Sequence, residues 1–154
     1  MKINNFPSKW KWLEPIRQSV TEMAASELKT LDSAGSSLVG FLFTLQINDQ
    51  DERNRLQKEI LKILPVIKAI VSPLSGKKVK LRIGEKNLKS VRDLENVSSG
   101  LKQILILVCG IMNIDPNSLV LIEEPELFLH AGSQRRLFDL IKKESVENVL
   151  NLEN

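Results

Sequence analysis

Two acids stand side by side at the end of an apolar run: Leu119-Val120-Leu121-Ile122 is followed directly by Glu123-Glu124-Pro125-Glu126. Four consecutive large aliphatics fit a strand buried on both faces, as in parallel sheets, where helices cover both sides and the usual alternation is lost. Strands of this kind present their chemistry at the carboxyl end, and Pro125, which lacks a backbone donor, stops the ladder there. Adjacent acids at such an edge can divide the work. One orients Mg²⁺ and its waters, while the other accepts a proton from an attacking water.

A second stretch suits the same chemistry. Ser98 or Ser99 caps a helix whose apolar positions are Ile104, Leu105, Leu107, Val108, Ile111 and Met112, and Gly100 lets a ligand approach the backbone closely. Unpaired N–H groups and the positive end of the helix then face outward, which makes an anion site suited to a phosphate.

Taken in order, these residues carry a resemblance. Val97-Ser98-Ser99-Gly100 resembles the signature motif of ABC-type ATPases, and Leu119 to Glu124 is similar to their Walker B strand with its catalytic glutamate. Pro125-Glu126-Leu127-Phe128-Leu129-His130 resembles the continuation into the D-loop in the OLD, RecF and SMC-like members. In place of the usual Leu-Ser-Gly-Gly-Gln the chain reads Val-Ser-Ser-Gly-Leu, with Gln103 two residues further on, and Glu123 stands where most relatives have Asp.

The resemblance implies an α/β fold, the C-terminal part of an ABC ATPase head: a partial P-loop NTPase three-layer sandwich with a helical subdomain. It implies ATP and Mg²⁺ as cofactors, with ATP clamped between two heads. Glu124 would activate the water and Glu123 would organise the metal. Ser98, Ser99, Gly100 and Gln103 would bind nucleotide held by a partner, with His130 beside them at the contact between heads. The partner would be a second ATPase head, either another copy or a missing N-terminal lobe. DNA is a further partner it allows, in DNA repair or phage defence.

Length and composition set the frame. The chain has 154 residues, 42% of them hydrophobic and 27% charged, enough for a globular core and too apolar for disorder. No apolar run reaches the length of a membrane span, and the start lacks a signal-like segment, so a cytoplasmic protein without a membrane partner is expected. The one cysteine, Cys109, falls inside the apolar helix and reads as a buried small hydrophobe. A net charge of +3 permits nucleic-acid contact without arguing for it.

Three segments follow: 1–96 leads into the signature, 97–145 carries the signature helix, Walker B strand and D-loop helix, and 146–154 is a polar tail. In the first, Trp10 and Trp12 interleave with Lys9 and Lys11. The pattern allows base stacking on a basic strand, but an edge strand whose aromatics pack on the domain is the simpler reading. Ile16, Val20, Met23 and Leu28 fit a loose helical stripe. Leu31 to Ser37 reads as a capping loop for a helix buried through Leu38, Phe41, Leu42 and Leu45, and Glu52 to Leu64 as a third helix. Val66 to Val71 is an apolar strand, and Val79 to Ile83 alternates as a half-buried strand with Lys77, Lys78, Lys80 and Arg82 on its basic side. Ser133 caps a last helix burying Leu137, Leu140 and Ile141, with Lys142 and Lys143 near its negative end.

Gly35 and Gly40 have the spacing of a P-loop, but Phe41 and Leu42 follow where Lys and Ser or Thr belong. No other stretch supplies a Walker A motif, so the chain alone is expected to be inactive. Two further readings stand beside ATP hydrolysis: a non-catalytic module docking on an intact ATPase head, and a nucleic-acid-binding accessory using the strand from Lys77 to Arg82.

Overall fold

The computed structural model describes residues 9–14, 20, 22–115, 118–127 and 129–150, with side chains to 145. It is mixed α/β, and the architecture follows from where the apolar runs are interrupted. Strand β1 (Lys9–Leu13) pairs in parallel with β8 (Ser118–Ile122), joining the two ends of the sequence. Between them lie two antiparallel sheets of three strands. One is ordered β2 (Glu22–Ala24), β5 (Lys78–Lys80), β4 (Leu74–Ser75); the other is β3 (Ile67–Val71), β6 (Arg82–Glu85), β7 (Val91–Asp93).

Four α-helices and a one-turn 3-10 helix (Leu94–Asn96) complete the described residues: α1 (Leu38–Asn48), α2 (Gln50–Ile63), α3 (Ser99–Met112) and α4 (Ala131–Leu150). Helix α1 buries the expected Leu38, Phe41 and Leu42, with Val39, Gly40 and Thr44 besides, and leaves Leu45 half-buried; α2 is capped by Asp49, whose carboxylate accepts the Glu52 N–H at 2.9 Å. Such a cap satisfies one of the donors that a helix start leaves open. Helix α3 is the core element. Every residue from Gln103 to Met112 is buried, so it is dry around its whole circumference instead of along one stripe.

Gly110 explains how α3 lies so close to β1. A side chain there would come within 2.9 Å of Leu13 Cδ2, and Leu13 itself is fully buried. Helix and strand run in opposite directions, because Lys11 Nζ donates to the Asn113 carbonyl at 3.1 Å while Gly110 faces Leu13.

Several expectations change here. Met23 lies in strand β2 and Leu28 in irregular chain, so no helix runs through the described part of 20–28, and Ile16 lies outside the described residues. The alternating run Val79 to Ile83 is divided at Leu81 between two sheets. Val79, Leu81 and Ile83 nevertheless all face the core, which preserves the alternation that the sequence displays. Ser133 does not cap α4; it sits in the first turn, buried, and donates to the Ile63 carbonyl at 2.7 Å, fastening α4 to the end of α2. Lys143 lies in mid-helix, because α4 continues into the supposed tail as far as Leu150, and it pairs with Glu59 at 3.4 Å. Residues 151–154 lie outside the described residues.

The largest difference concerns β8. Leu119 and Leu121 are exposed while Val120 and Ile122 are half-buried on the core side, so the strand is covered on one face, not two. Its neighbour β1 has the same asymmetry. Trp10 and Trp12 point outward and do not pack on the domain.

Candidate functional site

The acid pair sits where the parallel strands end. The Glu123 N–H donates to the Leu13 carbonyl at 3.4 Å, a last and long rung of the ladder. Glu124 then takes φ 44°, the only left-handed backbone among the described non-glycine residues. That conformation is uncommon for a side chain such as glutamate and costs roughly 1–3 kcal/mol, so it persists where surrounding structure enforces it. Pro125 to Leu127 form a turn, closed by Leu127 N–H to the Glu124 carbonyl at 3.1 Å. Glu123, Glu124 and Glu126 are exposed, and no ion pair engages them among the described residues. Phe128, within the same motif, lies outside the described residues.

Helix α3 opens as its sequence requires. Ser98 is the N-cap, and its hydroxyl accepts the Leu101 N–H at 3.4 Å. The N–H groups of Ser99 and Gly100 have no hydrogen-bond partner among the described residues, so the helix end is open to an anion. Gln103 is buried within α3, whereas Ser98 and Ser99 are exposed. His130 is exposed at the start of α4, where its carbonyl accepts the Ser133 and Gln134 N–H groups at 2.8 and 2.9 Å.

These residues share an edge but do not form one cluster. Gly110 lies level with Leu13, and Glu123 is bonded to Leu13. Helix rise puts Ser98 about 18 Å beyond Gly110, while Glu124 lies only about 7 Å beyond Leu13. No hydrogen bond joins Ser98 to Glu124 among the described residues. Within one chain the two polar groups therefore do not touch.

The loop before α1 is organised by a residue to which the sequence reading gave no role. Asp32 accepts from the hydroxyls of Ser36 and Ser37 and from the Ser37 N–H, and Ser37, at the helix N-cap, makes no side-chain cap bond. Burial works to raise the Asp32 carboxyl, but the bonds from Ser36, Ser37 and Gly35 outweigh it and hold it below its ordinary value. Gly35 adopts φ +79° against Ile106. Gly40, its partner in the P-loop-like spacing, is inside α1 and packed on Leu28 and Met23, far from a phosphate-cradling loop.

Elsewhere the geometry quiets two other readings. Lys78 and Lys80 both bind Glu22, at 2.8 and 3.3 Å, and Arg82 binds Asp93 at 2.7 Å, so the basic strand is largely matched by its own acids. The Glu22 carboxyl is held below its ordinary value by those two lysines. Pleating separates Trp10 and Trp12 from Lys11, whose amine is turned inward and whose pKa is lowered by burial against the pull of Asp115 and Asp32. Stacking surface and cation are thus on opposite faces. Cys109 is fully buried, and burial pushes its thiol up to about 12, which makes it inert as read.

An α/β core with carboxylates at the end of parallel strands and an open helix start is the layout of a nucleotide-binding, ATPase-like domain. The family comparison agrees. Residues 5–148 match the family described as "AAA domain, putative AbiEii toxin, Type IV TA system", and the chain belongs to that family. No curated protein and no solved structure matches the chain. Among the described residues no helix is long and apolar enough to cross a membrane.

Proposed function

We propose that the chain contributes to ATP binding and hydrolysis as the signature and Walker B part of an ABC-type head, with the P-loop supplied by a lobe outside these residues. The observation that carries this reading is Glu124: an exposed carboxylate held at φ 44° beside Glu123, at the carboxyl end of a parallel pair, in a chain of the AAA-domain family.

The donor set fits the implied ion. Mg²⁺ is commonly held by one or two carboxylates with waters and substrate phosphates. Among the described residues no group of three or more His, Cys, Asp and Glu side chains converges to hold a metal, so a protein-only cage is not what supports the assignment. Glu123 would hold the ion, directly or through water. When bound, Mg²⁺ and ATP supply a polarised terminal phosphoryl group. Glu124, exposed at the turn that ends the strand, accepts the proton of the attacking water. Ser98 and the N–H groups of Ser99 and Gly100 would bind phosphate oxygens of nucleotide held by the opposing head, with His130 at the contact between them.

The test separates binding from turnover. The purified chain alone should bind Mg-ATP weakly at most, and a micromolar dissociation constant by calorimetry would overturn the division of the site. In the assembly purified through a tag on this chain, Glu124→Gln should keep nucleotide binding and lose turnover by about 10²–10⁴-fold, the usual cost of removing a general base. Turnover near that of the unaltered protein would place the base elsewhere.

A further inference from the structure

One charge in the core lacks a counterpart. Arg53 on α2 is only 5% exposed, and its Nη2 donates to the Ile70 carbonyl of β3 at 2.8 Å. Its Nη1 is buried without a hydrogen bond, and no ion pair engages the guanidinium among the described residues. An arginine stays ionised inside a protein, so the charge is fixed. Buried charges are ordinarily paired, because desolvating an isolated one costs far more than a single hydrogen bond returns. Burial already pulls the Arg53 pKa down, and the group acting against it is Cys109. That thiol, pushed up to about 12 by its own burial, is neutral at neutral pH and offers no negative charge.

A second unsatisfied group belongs to the same stretch of backbone. Ser72, fully buried just past the end of β3, has a hydroxyl with no partner among the described residues. Ile70 and Ser72 are both buried, as side chains two residues apart on one face should be. In extended chain the carbonyl of one residue and the N–H two residues on turn to the same side. Arg53 takes the Ile70 carbonyl, while Gln46 of α1 accepts the Ser72 N–H at 3.2 Å and donates to the Ser72 carbonyl at 3.5 Å. Two residues of strand cover about 7 Å. One atom bonded at about 3 Å to Arg53 Nη1 is therefore within reach of Ser72 Oγ as well.

The nature of that atom follows from the charge. A water would satisfy the two groups and leave the guanidinium unopposed, whereas an anion satisfies both and balances it. A phosphate or carboxylate brings several oxygens, each of which would need its own donor in a closed site. Two side-chain donors suit a single spherical ion.

We propose that Arg53 and Ser72 bind one halide ion, chloride in the cell, where α1, α2 and β3 meet. The ion balances the buried guanidinium and fastens α2 to the end of β3. This site and the ATP chemistry share no residue.

Thermal unfolding of protein purified through a tag on this chain, alone or in its assembly, tests it. At constant ionic strength, replacing sodium gluconate stepwise by sodium bromide should raise the midpoint along a saturating curve, as a ligand of the native state does. Arg53→Met removes the charge at similar volume and should abolish that dependence, whatever it does to the midpoint itself. Ser72→Ala keeps the charge and should weaken the apparent bromide affinity by about fivefold, the loss of one hydrogen bond. In crystals grown in sodium bromide, an anomalous difference peak should lie within hydrogen-bond distance of Arg53 Nη1 and Ser72 Oγ. A midpoint indifferent to bromide, a bromide response unchanged in either variant, or a water at that position with bromide only elsewhere would overturn the proposal.

Discussion

Helix α3 and strand β8 look alike as text. Each is an uninterrupted apolar run, Ile104 to Met112 in one and Leu119 to Ile122 in the other, yet α3 is buried all round and β8 is half-open. The difference lies in how each reaches its neighbours. A helix turns its side chains in every direction and is met here by β1, α2 and α4. A strand offers two faces, and α3 covers only one of them. Continuous hydrophobicity thus reports that a segment is to be covered, and does not say that these residues supply the cover.

Truncation should separate the two most widely. Leu107→Ala removes a fully buried side chain and should destabilise the chain by about 2–5 kcal/mol in denaturant unfolding, whereas Leu121→Ala should cost under about 1 kcal/mol in the chain alone. Equal losses would mean that the open face is covered within the chain. Gly110→Val comes next, at about 1–3 kcal/mol, because branched carbons would be driven into Leu13 where helix and strand touch.

A smaller effect of opposite sign belongs to the end of β8. Glu124→Gly relieves the left-handed backbone and should stabilise by about 0.5–1 kcal/mol, after the greater freedom of glycine in the unfolded chain is set against it. A destabilised Glu124→Gly variant would show that the carboxylate helps to hold the fold, against its assignment to chemistry.

The smallest effect is a pH response in the loop before α1. The folded pKa of Asp32 lies below its ordinary 3.8, so the native state holds its proton less tightly than the unfolded chain. Its contribution is present above about pH 4 and is lost as pH falls through the folded value. Asp32→Asn should accordingly lower stability at pH 7 and flatten the acid side of the stability profile, measured by unfolding at pH 7 and pH 3.5. An unchanged profile would remove Asp32 as the organiser of that loop.

What could be read from the sequence follows the range of the interactions involved. A serine cap before α3, the body of α3, the presence of α1 and α2 and the burial of Cys109 depend on neighbours three or four residues away and were legible, although α2 starts at Gln50, two residues before the Glu52 that its apolar spacing suggested. The parallel pairing of Lys9–Leu13 with Ser118–Ile122 spans nearly the whole chain, and nothing local announces it. The alternation of Trp10 and Trp12 with Lys9 and Lys11 did signal a strand, but not its partner. Ser133 was misread for a related reason. A serine just inside a helix start resembles a cap, and only the distant Ile63 carbonyl reveals its use. In the candidate site, residue types and order were legible, while the turn at Glu124 required the backbone.

The anchoring of α4 has a mechanical consequence for the acids that precede it. The stretch from Glu123 to Ser133 is held at one end by the Leu13 carbonyl and at the other by the Ile63 carbonyl, and Arg55, bonded to Glu144 at 2.7 and 2.8 Å, keeps α4 from pivoting on α2. Two anchors, together with the turn at Glu124, restrict the backbone before any ligand arrives, so part of the entropy of placing Glu124 is spent when the chain folds. A displacement of α2 would be felt first at Ser133, at the start of the helix that follows the acids.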